Sequence, residues 1–193
     1  MMINSKLVMQ LREQTGAGVL EAKKALEEAG GDIAAAIDFL RKSGVIKAAK
    51  KSDRVTNEGL VHGYVHGGGK VGVLVEVLCE TDFVARNPEF QELSHDLALQ
   101  IAATNPLYVK SEDVPSEMVE KEKSIYAEEV IGKPVNIIEK IVEGKLQKWY
   151  SDICLMNQAF IKDEDMTIEE LVKSKIAKLG ENIQVRRFTR YSL

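Results

Sequence analysis

Residues 3–43 carry apolar positions at helical spacing, and glycines divide them into three short segments. Gly16 and Gly18 separate the first segment from the second, and Gly30-Gly31 separates the second from the third. Asp32 stands where the third segment needs an N-cap. Three helices in so few residues predict a small bundle whose core is marginal by size alone. A bundle of this size offers no pocket large enough for catalysis.

A basic stretch, Lys47 to Arg54, follows Gly44, which is a predicted stop signal for the third helix. One interpretation of the stretch is a contact with nucleic acid or an acidic partner, and the other is a solvated, partly helical connector. The stretch has no interleaved aromatic residues to stack on bases, which counts against nucleic acid. The sequence therefore predicts a bundle over residues 1–46, a basic linker over 47–54 and a core domain over 55–193.

The spacing of apolar residues becomes alternating after this stretch. Residues 60–66 alternate, glycines occupy 67–69, and a β-branched run follows from Val71 to Cys79, which predicts a β-hairpin. Further helices are predicted from Pro88 to Asn105, over 115–131, from Pro134 to Tyr150 and from Thr167 to Gly180, with strands over 153–160 and 183–191. The predicted fold class is α+β, an N-terminal three-helix bundle followed by an antiparallel-sheet core domain with packed helices.

Charge and composition narrow the function classes. The net charge of −4 argues against a protein that lives on nucleic-acid phosphates, because such binding needs a basic face. The apolar stretches are too short to span a bilayer, and the N-terminus does not have the pattern of a signal peptide. We therefore expect a cytoplasmic protein without membrane or direct nucleic-acid contacts.

The candidate chemistry is sparse. His62 and His66 share one face of a strand but lie about 13 Å apart, too far for one ion, and His95 falls in a predicted helix without a zinc motif. We therefore predict no metal site and no cofactor. Cys79 and Cys154 lie in apolar contexts without CxxC spacing, as expected of buried, reduced cysteines, although a disulfide between them stays open. No nucleophile motif and no pair of catalytic carboxylates is apparent.

An acidic and an aromatic side chain stand together between the predicted hairpin and the next helix. This junction contains Asp82 and Phe83, and Asn87 is placed to cap the helix that begins at Pro88. Side chains at such junctions can project from a rigid base toward a partner. A lone aromatic such as Phe83 more often folds back into the core. The junction alone therefore leaves both interpretations open.

The string from Thr81 to Asn87, Thr-Asp-Phe-Val-Ala-Arg-Asn, resembles the hallmark motif of the elongation factor Ts family. Residues 11–18, 23–26 and 47–51 resemble the family's N-terminal module and linker, and 180–188 resembles its C-terminal end. The order and spacing of the bundle are similar to those of a ubiquitin-associated domain. The resemblance spans essentially the whole chain.

The resemblance implies a guanine nucleotide exchange factor that promotes GDP release from elongation factor Tu by binding, without covalent chemistry. The residues implied to insert near the partner's magnesium and switch region are Thr81, Asp82, Phe83 and Val84. Those implied to grip the GTPase domain are Arg12, Val19, Leu20 and Lys23. Family members often have methionine at the positions of Val19 and Leu20, so this chain keeps only the apolar character there.

The length of the chain leaves room for one copy of the core subdomain that longer family members carry twice, and it lacks their coiled-coil insertion. Short members are expected to pair two chains through the core sheet. The predicted final strand, 183–191, would offer an exposed edge for this pairing. We therefore predict a homodimer that binds two GTPases. The alternatives are a ubiquitin-associated-like adaptor without exchange activity and an enzyme with Asp82, His62 or His95 around a cleft.

Overall fold

The computed structural model describes residues 3–132 and 134–193, and its helices and strands form an α+β fold, as predicted. The helices are α1 Ser5–Thr15, α2 Val19–Glu28, α3 Ile33–Ala49, α4 Asp82–Ala85, α5 Pro88–Thr104, α6 Ser116–Glu128, α7 Val135–Ile153 and α8 Ile168–Leu179. The strands are β1 Glu58–His66, β2 Val71–Cys79, β3 Ala159–Phe160, β4 Asp163–Thr167 and β5 Gln184–Ser192.

The described residues form two compact units, each assembled from segments that are distant in the chain. The first contains residues 3–59, 78–93 and 170–184, and the second contains 60–77, 94–169 and 185–193. The three predicted domain segments stay a prediction about how the chain is divided.

The N-terminal bundle of α1, α2 and α3 forms as the glycine and capping pattern predicts. Its core is made of small and branched residues, among them Leu11, Leu26 and Ala36, all fully buried. The Asp32 side chain accepts a hydrogen bond from the Ala35 amide at 3.0 Å and begins α3.

The C-terminal half of α3 differs from the prediction. The stop signal at Gly44 is wrong, since the helix continues to Ala49 and takes in the start of the basic stretch. Gly44 is buried where α3 lies against α8, and a Cβ placed on it would meet the Ala177 Cβ at 3.8 Å. Packing against a second helix therefore outweighs the low helix propensity of one glycine.

The larger sheet has the strand order β1-β2-β5, with β5 at an edge, as predicted. The predicted hairpin turn lies at residues 67–69, all three with positive φ. The amide of Leu193 donates to the Lys70 carbonyl at 3.0 Å, so the end of β5 lies beside the start of β2. On one face, α5 covers the sheet, and the Arg190 guanidinium donates to the Ala102 carbonyl of that helix.

The predicted strand over 153–160 is wrong. Helix α7 continues to Ile153, a single 3-10 turn follows over Leu155–Asn157, and only Ala159–Phe160 pair as a strand. The buried Gln158 side chain explains the irregular path, because it accepts hydrogen bonds from Gln100 and from Thr104 on α5. A short apolar run is compatible with either helix or strand, so its sequence could not decide between them.

Within residues 3–132 and 134–193, no helix combines the length and the apolar character needed to cross a lipid bilayer.

Candidate protein-interaction site

The aromatic side chain at the hairpin-to-helix junction points into solvent. Phe83 lies on α4, a helix of only four residues, and is 83% exposed. The alternative in which Phe83 folds back into the core is therefore wrong. The structure leaves a large apolar side chain in water beside the carboxylate of Asp82.

The base of α4 is held at Thr81, the residue before its first turn. The Thr81 hydroxyl accepts a hydrogen bond from the Val84 amide at 3.4 Å and so caps the helix. The same hydroxyl donates to the Glu181 carboxylate at 2.6 Å. Asp82, Val84 and Ala85 are half-buried, so Phe83 is the most exposed residue of α4.

The carboxylate of Asp82 has a solvent-exposed counter-ion. The Arg86 guanidinium lies 3.1 Å away, one turn further along the chain, and both side chains are substantially exposed. An exposed pair of this kind contributes on the order of 0–1 kcal/mol, because water screens it. The Asp82 carboxylate can therefore leave Arg86 for a new partner at little cost.

The second set of predicted residues lies on the exposed face of α2. Leu20 is 82% exposed and Val19 is 52% exposed, although both occupy the first turn of the helix. Lys23 is one turn further on and forms a long, exposed ion pair with Glu27 at 3.8 Å. The opposite face of α2 is buried in the bundle core. Two apolar residues and a cation thus form a continuous exposed strip.

Arg12 contributes to the corner between α1 and α2. Its Nε donates to the Ala17 carbonyl at 3.2 Å, and its own carbonyl accepts from the Gly16 amide at 2.7 Å. Its side chain is exposed apart from this hydrogen bond. Both predicted sets of residues, at the bundle and at α4, belong to the first compact unit.

Comparison with known proteins shows the family of the chain. The family model described as elongation factor TS matches residues 11–176. Proteins named elongation factor Ts align over the whole chain: one from Carboxydothermus hydrogenoformans is 53% identical, with 89% of its length covered. Those from Thermotoga petrophila and Thermosipho melanesiensis are 54% and 55% identical, with 97% and 99% of their lengths covered. The chain belongs to the elongation factor Ts family.

Two residues that hold the elongation factor Ts motif in place were not identified as such from the sequence. Glu181, in the turn after α8, accepts a hydrogen bond from the amide of Thr81, the first residue of the motif, and the Asn182 amide donates to the carboxylate of Glu80, the residue before it. Their sequence signal was limited to the resemblance of the C-terminal segment to the family. No local pattern predicts which distant backbone amides a carboxylate will bind.

Both cysteines of this elongation factor Ts family member are buried free thiols, as predicted. Burial, with a smaller contribution from Glu181, raises the pKa of Cys79 to about 11. Burial, together with Asp113, likewise raises the pKa of Cys154 to about 11. Neither sulfur is a thiolate near neutral pH, so neither is an activated nucleophile.

The histidines come together in a way that the sequence did not predict. His62 Nε2 lies 3.2 Å from His95 Nδ1, with the rings edge to face, and the Tyr64 hydroxyl lies 2.9 Å from His66 Nδ1. Burial, together with His95, lowers the pKa of His62. Among the described residues, no group of three or more His, Cys, Asp or Glu side chains is arranged to hold a metal ion.

Proposed function

We propose that this protein is a guanine nucleotide exchange factor that promotes GDP release from elongation factor Tu by inserting Asp82 and Phe83 near the magnesium and switch region. The observation that carries the proposal is the 83% exposure of Phe83 on a helix whose base is hydrogen-bonded. Burying such a side chain against a partner is worth roughly 1.5–3 kcal/mol. The isolated protein does not gain this free energy, because its Phe83 side chain stays in water.

Exchange requires differential affinity. A factor accelerates GDP release only if it binds the nucleotide-free GTPase better than the GDP-bound one. Phe83 would act as a wedge. It would fit beside the switch segment when that segment is displaced, and it would be excluded when the segment occupies its position in the GDP-bound GTPase. Binding alone then lowers the affinity for GDP, without proton transfer or a nucleophile on this chain.

Asp82 would act on the metal side of the same site. GDP is held largely by magnesium and by donors around its phosphates. A carboxylate brought next to that site competes for the donors and water ligands that stabilise the ion. The weak, exposed pairing with Arg86 leaves the Asp82 carboxylate available for this role.

The strip on α2 would provide the docking contact. Val19 and Leu20 supply exposed apolar area, and Lys23 supplies a charge beside it. Arg12 lies at the adjoining corner of the bundle, so the four residues implied by the family resemblance would meet the GTPase domain together. Docking through the bundle would provide most of the affinity for the GTPase, and insertion of α4 would accelerate GDP release.

A second copy of the chain would cover the open face of the sheet. Val61 on β1, Leu74 on β2 and Tyr191 on β5 are each more than half exposed. A shallow depression of about 280 Å³ lies beside the first two, and Glu76 in its lining is paired with Arg187. A face on which exposed apolar side chains surround a paired Glu76 suits burial against an identical face. We therefore propose a homodimer in the cytoplasm that binds two GTPases and makes no direct contact with nucleic acid or membrane.

The test follows release of fluorescent GDP from elongation factor Tu after mixing with wild type, with Asp82→Ala/Phe83→Ala, or with Ile131→Ala. The double variant is expected to lose most of the acceleration because it lacks both inserted groups. Ile131, also strongly exposed, is the matched control for removing a surface apolar side chain, and its variant is expected to remain fully active. Equal loss in both variants would contradict the assigned role of α4. No acceleration by folded wild type would favour an adaptor that uses only the α2 strip.

A further inference from the structure

The helix that carries Asp82 and Phe83 is too short to hold its own direction. A helix of four residues has barely one turn, and the first turn is the unfavourable step of helix formation. The direction in which Phe83 points therefore depends on the contacts at its base. These contacts are made by the turn after α8.

Glu181 binds the base of α4 with both carboxylate oxygens. One oxygen accepts from the Glu80 amide at 3.1 Å and from the Thr81 amide at 3.0 Å. The other accepts from the Thr81 hydroxyl at 2.6 Å. Hydrogen bonds to an ionised acceptor are about twice as strong as neutral ones. One side chain thus fixes the backbone of two successive residues and the side chain of the second.

The Thr81 hydroxyl connects Glu181 to the first turn of α4. A hydroxyl has one hydrogen to donate and two lone pairs, and its hydrogen turns to suit the available acceptor. Because Glu181 takes the hydrogen, the lone pairs remain for the Val84 amide, which donates to the same oxygen at 3.4 Å. Loss of the carboxylate would free the hydroxyl to rotate and would weaken the side-chain cap that Thr81 provides for this helix.

The turn that carries Glu181 is itself anchored. The Asn182 amide donates to the Glu80 carboxylate at 2.6 Å, so the two segments exchange hydrogen bonds in both directions. The Asn182 side chain is 2% exposed and donates to the carbonyls of Ser52 and Arg54, at 3.1 and 2.9 Å. The carboxylate of Glu181 therefore extends from a fixed support.

We propose that Glu181 is a positioning residue that sets the direction of Asp82 and Phe83 for insertion into the GTPase. This inference deepens the proposed exchange function and rests on it. Holding α4 in its inserting conformation before contact removes the entropy cost of ordering it during the encounter. Glu181 need not touch the partner to affect the maximal rate of exchange.

The predicted kinetic signature separates positioning from general destabilisation. In Glu181→Ala, the docking strip on α2 is intact, so the factor concentration that gives half-maximal exchange stays near the wild-type value. The maximal rate of GDP release falls about tenfold, the effect expected when the backbone of one residue must be ordered during binding. A variant that only reduces the folded fraction would instead need more protein and would reach the wild-type maximum.

Glu89→Ala is the matched control. Glu89 lies in the same compact unit, at the start of α5, where its carboxylate contacts Lys178 at 2.6 Å and Lys175 at 3.5 Å. Its removal deletes a comparable charged contact without touching Thr81. We expect this variant to keep the wild-type maximal rate.

A substitution at Thr81 tests whether its hydroxyl transmits the effect of Glu181 to α4. The nearly isosteric Thr81→Val removes the hydroxyl and is expected to lower the maximal rate, but by less than Glu181→Ala, because the two amide hydrogen bonds to Glu181 remain. Combining Thr81→Val with Glu181→Ala should lower the rate by less than the sum of the two single effects, because both changes remove the same hydrogen bond between the Thr81 hydroxyl and Glu181. Fully additive losses would overturn the proposed route through the hydroxyl.

Amide hydrogen exchange gives a readout that does not depend on the GTPase. The Val84 and Ala85 amides, which donate to the Thr81 hydroxyl and carbonyl, should lose protection in Glu181→Ala while the bundle core keeps it. Unchanged protection at these two amides would overturn the inference even if wild type is an active exchange factor. Lost protection with no exchange by wild type would instead overturn the proposed function and leave the positioning of α4 supported.

Discussion

At the residue scale, the backbone conformation of Gly16 limits which residues can replace it. Gly16 ends α1 in the left-handed region, with φ 67°, and its amide donates back to the Arg12 carbonyl. A Cβ placed on it would lie 2.6 Å from Nζ of Lys178. The lysine end can move away, so the backbone conformation is the main obstacle to a side chain here.

We expect Gly16→Ala to lower the free energy of unfolding by about 1 kcal/mol, because alanine is strained at positive φ. Gly144→Ala is the contrasting control: this glycine lies inside α7 with no atom near a Cβ, so alanine should stabilise by about 0.5–1 kcal/mol. Urea denaturation measures both. A stabilised Gly16→Ala variant would contradict the left-handed cap.

A single histidine also makes the stability of the protein depend on pH. Burial and His95 lower the pKa of His62 from its ordinary value of 6.5, so the folded protein binds this proton less tightly than the unfolded chain does. The contribution of His62 to stability is therefore fully present above about pH 6.5 and is lost as the pH falls toward the lowered pKa.

We expect His62→Gln, which keeps a donor toward His95, to lose less unfolding free energy than wild type between neutral pH and about pH 5. His66→Gln controls for loss of an imidazole elsewhere on β1. Denaturant titrations across this range provide the measurement. A His62→Gln variant as acid-sensitive as wild type would show that His62 does not carry this dependence.

At the element scale, helix boundaries follow local capping chemistry wherever the cap is a short polar side chain. Asp32 begins α3 through the Ala35 amide, and Asn87 begins α5 by accepting from the Glu89 amide at 2.9 Å. Both starts were predictable because the acceptor and the amide it binds are only two or three residues apart. Gly44 shows the limit, since packing on α8 carried the helix past a local stop signal.

We expect Asp32→Ala to lower the free energy of unfolding by about 1 kcal/mol, because the Ala35 amide loses its acceptor. Asp32→Asn keeps an oxygen in the same place and should cost much less. Thermal or urea unfolding distinguishes the two. If the asparagine variant loses as much as the alanine variant, the charge of Asp32 and not its hydrogen bond would be the important property.

At the scale of the whole molecule, one chain would carry two separate interaction surfaces. The first compact unit contains α4 and the α2 strip, which we assign to the GTPase. The second contains the open sheet face, which we assign to a second copy. Changes to one surface should therefore leave the other activity measurable.

We expect wild type to sediment at micromolar concentration with twice the mass of one chain, and Leu74→Asp to sediment as a single chain, because a carboxylate would be buried in the interface. Ile131→Asp, which adds the same charge at another exposed apolar position, should remain a dimer. A wild type that sediments as a stable single chain would disprove the homodimer.

What the sequence determined by itself was mostly local. Glycines 16, 30 and 31, the caps at Asp32 and Asn87, and the hairpin turn at 67–69 act over a few residues, so their outcome could be predicted without knowing the path of the chain. The family resemblance added the residues at α4 and α2 as an interaction set. It did not supply their exposure or the contacts that hold them.

The tertiary structure alone decided the rest. Whether Phe83 is exposed depends on what lies above it, and the hydrogen bonds from Thr81 to Glu181 join positions 100 residues apart. The helical path through Gly44 and the irregular path around Gln158 were likewise set by packing partners far along the chain. Burial and long-range hydrogen bonds depend on which segments come into contact in the folded protein. Local propensity depends only on neighbouring residues, so it cannot predict those contacts.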